Sequence, residues 1–164
     1  MLETRGLLRG IYMDLDAIVT RLGEQLPLDE GVRKFVYDDA TGQNIHAGSA
    51  VKGNPTIGIG RNLAAKGLTS AEITYLNRND CTEVVSQLNQ HLPWYGGIGV
   101  VRQAALGNMG FNLGWAGLLS FHEMLTHMSQ QAWGLAADSI RASKWYTQVG
   151  ARAERIAQEI ETGA

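Results

Sequence analysis

The chain has 164 residues, one cysteine and a formal charge of -2, with 14 Lys+Arg against 16 Asp+Glu. That length carries a real core in one or two lobes, and 45% hydrophobic residues argue against disorder. The charge balance disfavours a nucleic-acid binder that works by phosphate neutralisation, and a lone Cys81 excludes an internal disulfide.

Residues 1–26 read as an N-terminal helical extension, with Leu15, Ile18, Val19, Leu22 and Leu26 at spacings of three and four. Glu3, Arg5, Arg9, Asp14 and Asp16 interrupt any signal-peptide run, and the single Cys81 makes folding in a reducing cytosol the expectation. Pro27 cannot continue the helix without losing a hydrogen bond, so a fresh turn over Pro27 to Glu30 is expected, closed by Gly31. Residues 27–68 then form a small α+β lobe. Phe35-Val36-Tyr37 reads as a strand, Asp38 to Gly42 as a turn, and Thr56 to Gly60 as a second strand. Between them, residues 43–54 carry Asn44, Gly48, Gly53 and Asn54 without alternation, which predicts a flexible lip.

Thr69-Ser70-Ala71-Glu72 is a capping box and starts a connecting helix over 69–93. Its apolar stripe runs through Ile73, Leu76, Cys81, Val84, Leu88 and Leu92, over a length of about 36 Å. Helical patterning follows over Val100 to Leu113, Leu118 to Met128, Ala132 to Ala142 and Arg152 to Glu161, giving a helical lobe over 94–164. The most apolar stretch, Gly96 to Phe121, contains Arg102, Asn108 and Asn112, so a buried helix is expected there and no stable membrane insertion.

His122 and His127 flank Glu123, but a zincin pair needs His at i and i+4. Five residues turn about 140° around a helix, so no metal is expected. Cys81 lies on the apolar stripe and reads as a structural thiol. Carboxylates carry more information. Glu30 ends a helix beside a glycine, and Asp39 follows the first strand, so a helix end and a facing hairpin could present two acids across a cleft. Glycoside hydrolysis needs that pair: one acid for the leaving oxygen, one carboxylate for water or the sugar cation. Acids at helix ends and in turns are also common as plain solvated or capping groups.

Leu28-Asp29-Glu30-Gly31-Val32-Arg33, Tyr37-Asp38-Asp39, Thr56-Ile57-Gly58-Ile59-Gly60 and the run from Ala104 to Gly114 resemble the phage-type lysozymes of glycoside hydrolase family 24. Ser143-Lys144-Trp145-Tyr146 and Arg152-Ala153-Glu154-Arg155 resemble them as well. The resemblance implies a lysozyme-like α+β fold: a β-hairpin lobe joined by a long helix to a mainly helical lobe. It implies Glu30 as general acid, Asp39 as the acid that activates or positions water, and Thr56 as a holder of that water. Asn62, Phe111, Met124 and Ser139 fall where the family contacts saccharide, and Arg152 would lie near Glu30.

The implied activity is endolysin-type hydrolysis of the β-1,4 bond between N-acetylmuramic acid and N-acetylglucosamine in bacterial peptidoglycan. It would proceed with inversion, without a cofactor, from a monomer held in the host cytoplasm until it is released to the wall. A lytic transglycosylase, which needs only the acid, and a non-catalytic wall-binding or virion module are the rival readings. Three departures stand out. Sixteen residues separate Asp39 from Thr56, where the family usually has five. Arg61 replaces a usual histidine, and the chain is slightly acidic where many phage lysozymes are basic, which weakens electrostatic steering.

Overall fold

In the computed structural model, which describes residues 3–164 and their side chains from Leu15 onward, a single helix α1 occupies Glu3–Glu30. It runs through Pro27, so the expected break and fresh turn before Glu30 do not occur. The missing N–H removes the bond to the carbonyl of Gly23, one turn earlier. Gly23 is exposed, so water can take that carbonyl, and the helix has only three residues left to run. Gly31, at φ +72°, then turns the chain in a conformation that glycine adopts without strain.

Three antiparallel strands follow in the order β1 (Arg33–Asp38), β2 (Pro55–Gly58) and β3 (Arg61–Asn62). Tyr37 pairs with Thr56 and Asp38 with Pro55, while Thr56 pairs in turn with Asn62. Gly58 and Gly60, both at positive φ, make the tight turn between β2 and β3. A one-turn helix α2 (Leu63–Lys66) is capped by Asn62, whose Oδ1 accepts the Ala65 N–H at 2.9 Å. Arg61 donates from Nε to the carbonyl of Gly67 at 2.9 Å.

The segment 43–54 is tied at both ends rather than free. Its start doubles back along β1: Asp38 N–H donates to Gln43 O at 2.9 Å and Ile45 N–H to Val36 O at 2.8 Å. Its end is bound by two aspartates, described below. Backbone pairing needs no hydrophobic alternation where neither face is buried. Periodicity therefore gave no sign of it.

Chain contacts divide the molecule after Ser70, near the start of α3 (Ser70–His91). In the second unit, α4 (Val100–Leu119), α5 (His122–Ser129), α6 (Trp133–Arg141), α7 (Lys144–Val149) and α8 (Ala151–Thr162) enclose an apolar core. Helix α8 packs on α4, α6 and α7, and α5 packs on α6. Leu106, Met109, Leu118, Met128, Ile140, Ile156 and Ile160 are completely buried. Of the stripe expected on α3, Val84, Leu88 and Leu92 join this core, whereas Ile73, Leu76 and Cys81 are exposed.

Gly114, at φ 68° and ψ 169°, breaks α4 just after Leu113, where the helical pattern ends. The helix expected over Leu118 to Met128 is split instead at Ser120 and Phe121. There the Ser120 hydroxyl and backbone N–H both donate to Gly117 O and compete with helix continuation. Ser143 caps α7 through Oγ, which accepts the Tyr146 N–H at 3.1 Å. No helix among the described residues is long and apolar enough to cross a membrane.

Candidate active site

Glu30 is the last residue of α1, and its carboxylate lies against the turn between β2 and β3. A Cβ placed on Gly60 would stand 3.7 Å from Glu30 Oε2, within ordinary contact. Helix end and hairpin turn therefore set this acid beside the sheet.

The other two predicted catalytic residues meet through a third that sequence reading did not select. Asp39 accepts the Asn54 backbone N–H on Oδ1 at 2.7 Å and the Asn54 Nδ2 on Oδ2 at 3.1 Å. In return, Asn54 O accepts the Asp39 N–H at 3.1 Å and the Thr56 hydroxyl at 3.1 Å. The backbone N–H of Asn54, then its side-chain amide, holds the Asp39 carboxyl below the ordinary aspartate value. Asp39 is thus an ionised, exposed carboxylate of fixed orientation, and Thr56 is a buried hydroxyl two residues beyond the same clamp.

Asp38 supports that clamp from beneath. It is only 3% exposed, and a buried carboxylate is costly unless its oxygens are satisfied. Oδ2 accepts the Lys52 N–H at 2.7 Å, while Oδ1 accepts those of Gly53 at 2.9 Å and Ala40 at 3.0 Å. These bonds, the Lys52 one foremost, lower its pKa. Gly53 fits for lack of a side chain. A Cβ there would stand 2.1 Å from Asp39 Oδ1 and 2.8 Å from Ala40 N. The legible signal was the pair Asp38-Asp39, since aspartates at a strand end readily accept nearby backbone N–H groups. Their partners at 52–54 leave no local trace.

Asn62, expected to touch substrate, caps α2 with its amide oxygen. The remaining predicted residues line two cavities in the second unit. Phe111 and Arg152 border one of about 340 Å³, together with Cys81, Val84 and Asn108. Arg152 is held there by Asn108 Oδ1, which accepts from Nη2 at 2.6 Å and Nε at 2.9 Å. Met124 and Ser139 border the other, of about 500 Å³, with Phe121 and Trp145 as aromatic walls. Trp145 is fixed edge-on to Phe121, and its Nε1 donates to Asn112 Oδ1 at 2.8 Å. Met124 is 1% exposed, so it is mostly core. Ser139 Oγ donates to Leu135 O within its own helix at 2.9 Å. Asn112 was missed because it lies within an apolar helical run. Among the described residues, no three His, Cys, Asp or Glu side chains gather where they could hold a metal.

Comparison with known proteins gives two informative relatives. The chain is 31% identical over 159 residues to the pre-baseplate central spike protein Gp5 of Enterobacteria phage T4, a match covering 87% of this chain and 28% of that protein. It is 27% identical over 176 aligned positions to probable T4-type lysozyme 2 of Dictyostelium discoideum, covering 89% of this chain and 96% of that protein. No family model matches. The chain is thus homologous at low identity to a probable T4-type lysozyme and to a phage spike protein. A small three-stranded antiparallel sheet in a mainly helical chain is a lysozyme-like α+β fold.

Proposed function

We propose that this chain is an N-acetylmuramidase, a phage-type lysozyme of glycoside hydrolase family 24. It would cut the β-1,4 bond between N-acetylmuramic acid and N-acetylglucosamine in bacterial peptidoglycan. The observation that carries the reading is the joint clamping of the Asp39 carboxylate and the Thr56 hydroxyl by Asn54, on the sheet whose β2–β3 turn lies against the Glu30 carboxylate. Similarity to a probable T4-type lysozyme supports the same chemistry.

In this reaction Glu30 gives its proton to the glycosidic oxygen as the bond to the anomeric carbon breaks. Asp39, held ionised, accepts a proton from a water that attacks that carbon from the opposite face, with Thr56 hydrogen-bonding the water. The product has the inverted, α configuration. Phe111, Met124, Ser139 and Arg152 would contact saccharide or the acid, and Asn62 would do so through its amide nitrogen. The aromatic walls and polar rim of the larger cavity suit a sugar face, since aromatic side chains pack against apolar faces. The proposed setting is a monomeric endolysin in the host cytoplasm, released to the wall at lysis.

Wall digestion by purified protein tests the activity. Glu30→Gln should keep the fold and abolish clearing, whereas near wild-type clearing would remove Glu30 from its role. Released fragments should carry reducible N-acetylmuramic acid ends, initially of the α anomer. Mass spectrometry that finds 1,6-anhydro ends would favour a lytic transglycosylase. A β first product would recast Asp39 as a nucleophile.

The match to Gp5 favours a second setting, in which the same hydrolase serves as one module of a phage particle. An inert wild-type protein that still binds sacculi would reduce that module to wall attachment.

A further inference from the structure

We propose that Asn54 is a positioning residue: one side chain and its backbone orient the Asp39 carboxylate and join it to Thr56, and the long 43–54 segment exists in part to deliver this clamp. The inference rests on the reading of Asp39 as the acid that activates water.

Asp39 and Asn54 lie 15 residues apart in sequence, yet three hydrogen bonds run between them. A carboxylate gripped at one oxygen can still swing about its Cα–Cβ and Cβ–Cγ bonds. Gripped at both, it keeps one orientation. Each oxygen still has a second lone pair for water, because an ionised carboxylate accepts at about four sites. Two of the contacts, the backbone N–H and O of Asn54, survive any non-proline substitution at 54, so the amide is what the side chain adds.

The surrounding residues fix Asn54 in turn. Pro55 follows it, and a residue before proline is confined to extended backbone. Asp38 holds Lys52 and Gly53 by their N–H groups, which anchors the two preceding residues. Gly53 lets this backbone pass against Asp39, where any side chain would collide with the carboxylate. Finally, Asn54 O receives the Thr56 hydroxyl, which points that oxygen's donor into the frame that holds Asp39. A merely solvated surface asparagine would not be supported from both neighbours.

Steady-state hydrolysis of purified sacculi by the full chain tests this, with Asn54→Ala and Asn54→Asp measured across pH. Asn54→Ala should lower kcat by roughly 10- to 100-fold with KM changed by less than about twofold, because misplacement by about 1 Å can cost that much in rate. The acidic limb of the kcat profile should move to higher pH as Asp39 loses an amide donor. Asn54→Asp should move it further, since it places a like charge against the carboxylate. A purely structural role would lower activity without moving the limb. Carboxyl NMR titration of Asp39 in each variant reads the same displacement directly, and amide exchange over 33–62 shows whether the sheet is intact.

Unchanged kcat with an unmoved acidic limb in Asn54→Ala would overturn the proposal. So would a loss of activity in both variants that tracks lost sheet protection alone. Asp39→Asn separates the two levels. If it digests walls normally, the reading of Asp39 itself fails. If it is inactive while Asn54→Ala is normal, only the positioning role of Asn54 falls.

Discussion

The two units bury opposite kinds of residue. In the unit ending at Ser70, the side chains buried among the described residues are Asp38 and Thr56, both polar and both bonded to the backbone of the 52–54 segment. In the unit from Ala71 onward, the buried set from Leu88 to Ile160 is hydrophobic, the polar atoms of Tyr95 and Trp145 being hydrogen-bonded. Hydrophobic burial is roughly proportional to area and indifferent to direction, whereas a hydrogen-bonded carboxylate demands particular donors at particular places. The helical unit can therefore tolerate exchange among residues of similar size. The sheet unit should fail when one acceptor is lost, and that sensitivity comes with holding two polar groups in fixed orientation.

The largest expected effect is on the apolar side. Leu106 is completely buried, and Leu106→Ala should cost about 2–5 kcal/mol through lost transfer energy and the cavity left behind. Thermal unfolding followed by tryptophan emission checks it, because Trp94, Trp115, Trp133 and Trp145 all belong to this unit. A drop on the order of 10 °C or more is expected. A shift of only a degree or two would mean that this core is not what holds the helices.

Next comes Asp38→Ala, which leaves three backbone N–H groups without their acceptor. Amide protection at Ala40, Lys52 and Gly53 should collapse, and wall digestion should fall because Asn54 follows those residues in the chain. Tryptophan emission and its melting curve should not change. Coupled loss of both signals would show that the two units do not differ as argued.

Acid sharpens the same contrast. Asp38 and Asp39 both have folded-state pKa values below the ordinary 3.8, so the stability they contribute is fully present above that value. It is lost as pH falls through their lowered values and both states bind the proton. Exchange protection over 52–54 should therefore hold down to pH about 4 and disappear below it, ahead of any change at Leu106 or Ile156. Simultaneous loss in both places would break the distinction.

Legibility in the sequence follows the same division. Helices α4, α6 and α8 were readable because burial on one face leaves a 3.6-residue period, whereas Glu30, Asp39 and Thr56 were singled out by ordered motifs that resemble a family. Pro27 misled because a propensity that terminates most helices was outweighed where the orphaned carbonyl of Gly23 faces solvent. The Asn54 hub was invisible for a different reason. Its four hydrogen bonds depend on how a 16-residue connection closes, and neither periodicity nor composition encodes that closure. Cavity-lining Met124 and Ser139 were reached by family resemblance alone, and their side chains are largely committed to core and helix.

The smallest expected effect concerns a polar cluster in the apolar unit, and it isolates why charge matters more in one unit than in the other. Arg141 bonds Glu154 through Nε at 3.2 Å, Glu161 at 2.8 Å and Asp138 at 3.4 Å. The Glu154 carboxyl is held below its ordinary value chiefly by Arg141. Yet Tyr146 Oη and Gln158 Nε2 also donate to Glu154, so removing Arg141 leaves that carboxylate partnered. Arg141 remains 29% exposed, and water and salt can replace much of what it gives. Arg141→Met, which keeps the aliphatic stem, should therefore cost only about 0.2–1 kcal/mol, and less still in 0.5 M salt. Asp38 is buried and held chiefly by the backbone N–H groups of Ala40, Lys52 and Gly53, which have no other acceptor to turn to when it is removed. Tryptophan-monitored melting of Arg141→Met beside Leu106→Ala decides the point: equal losses would place the ionic cluster, not the apolar core, at the centre of the helical unit.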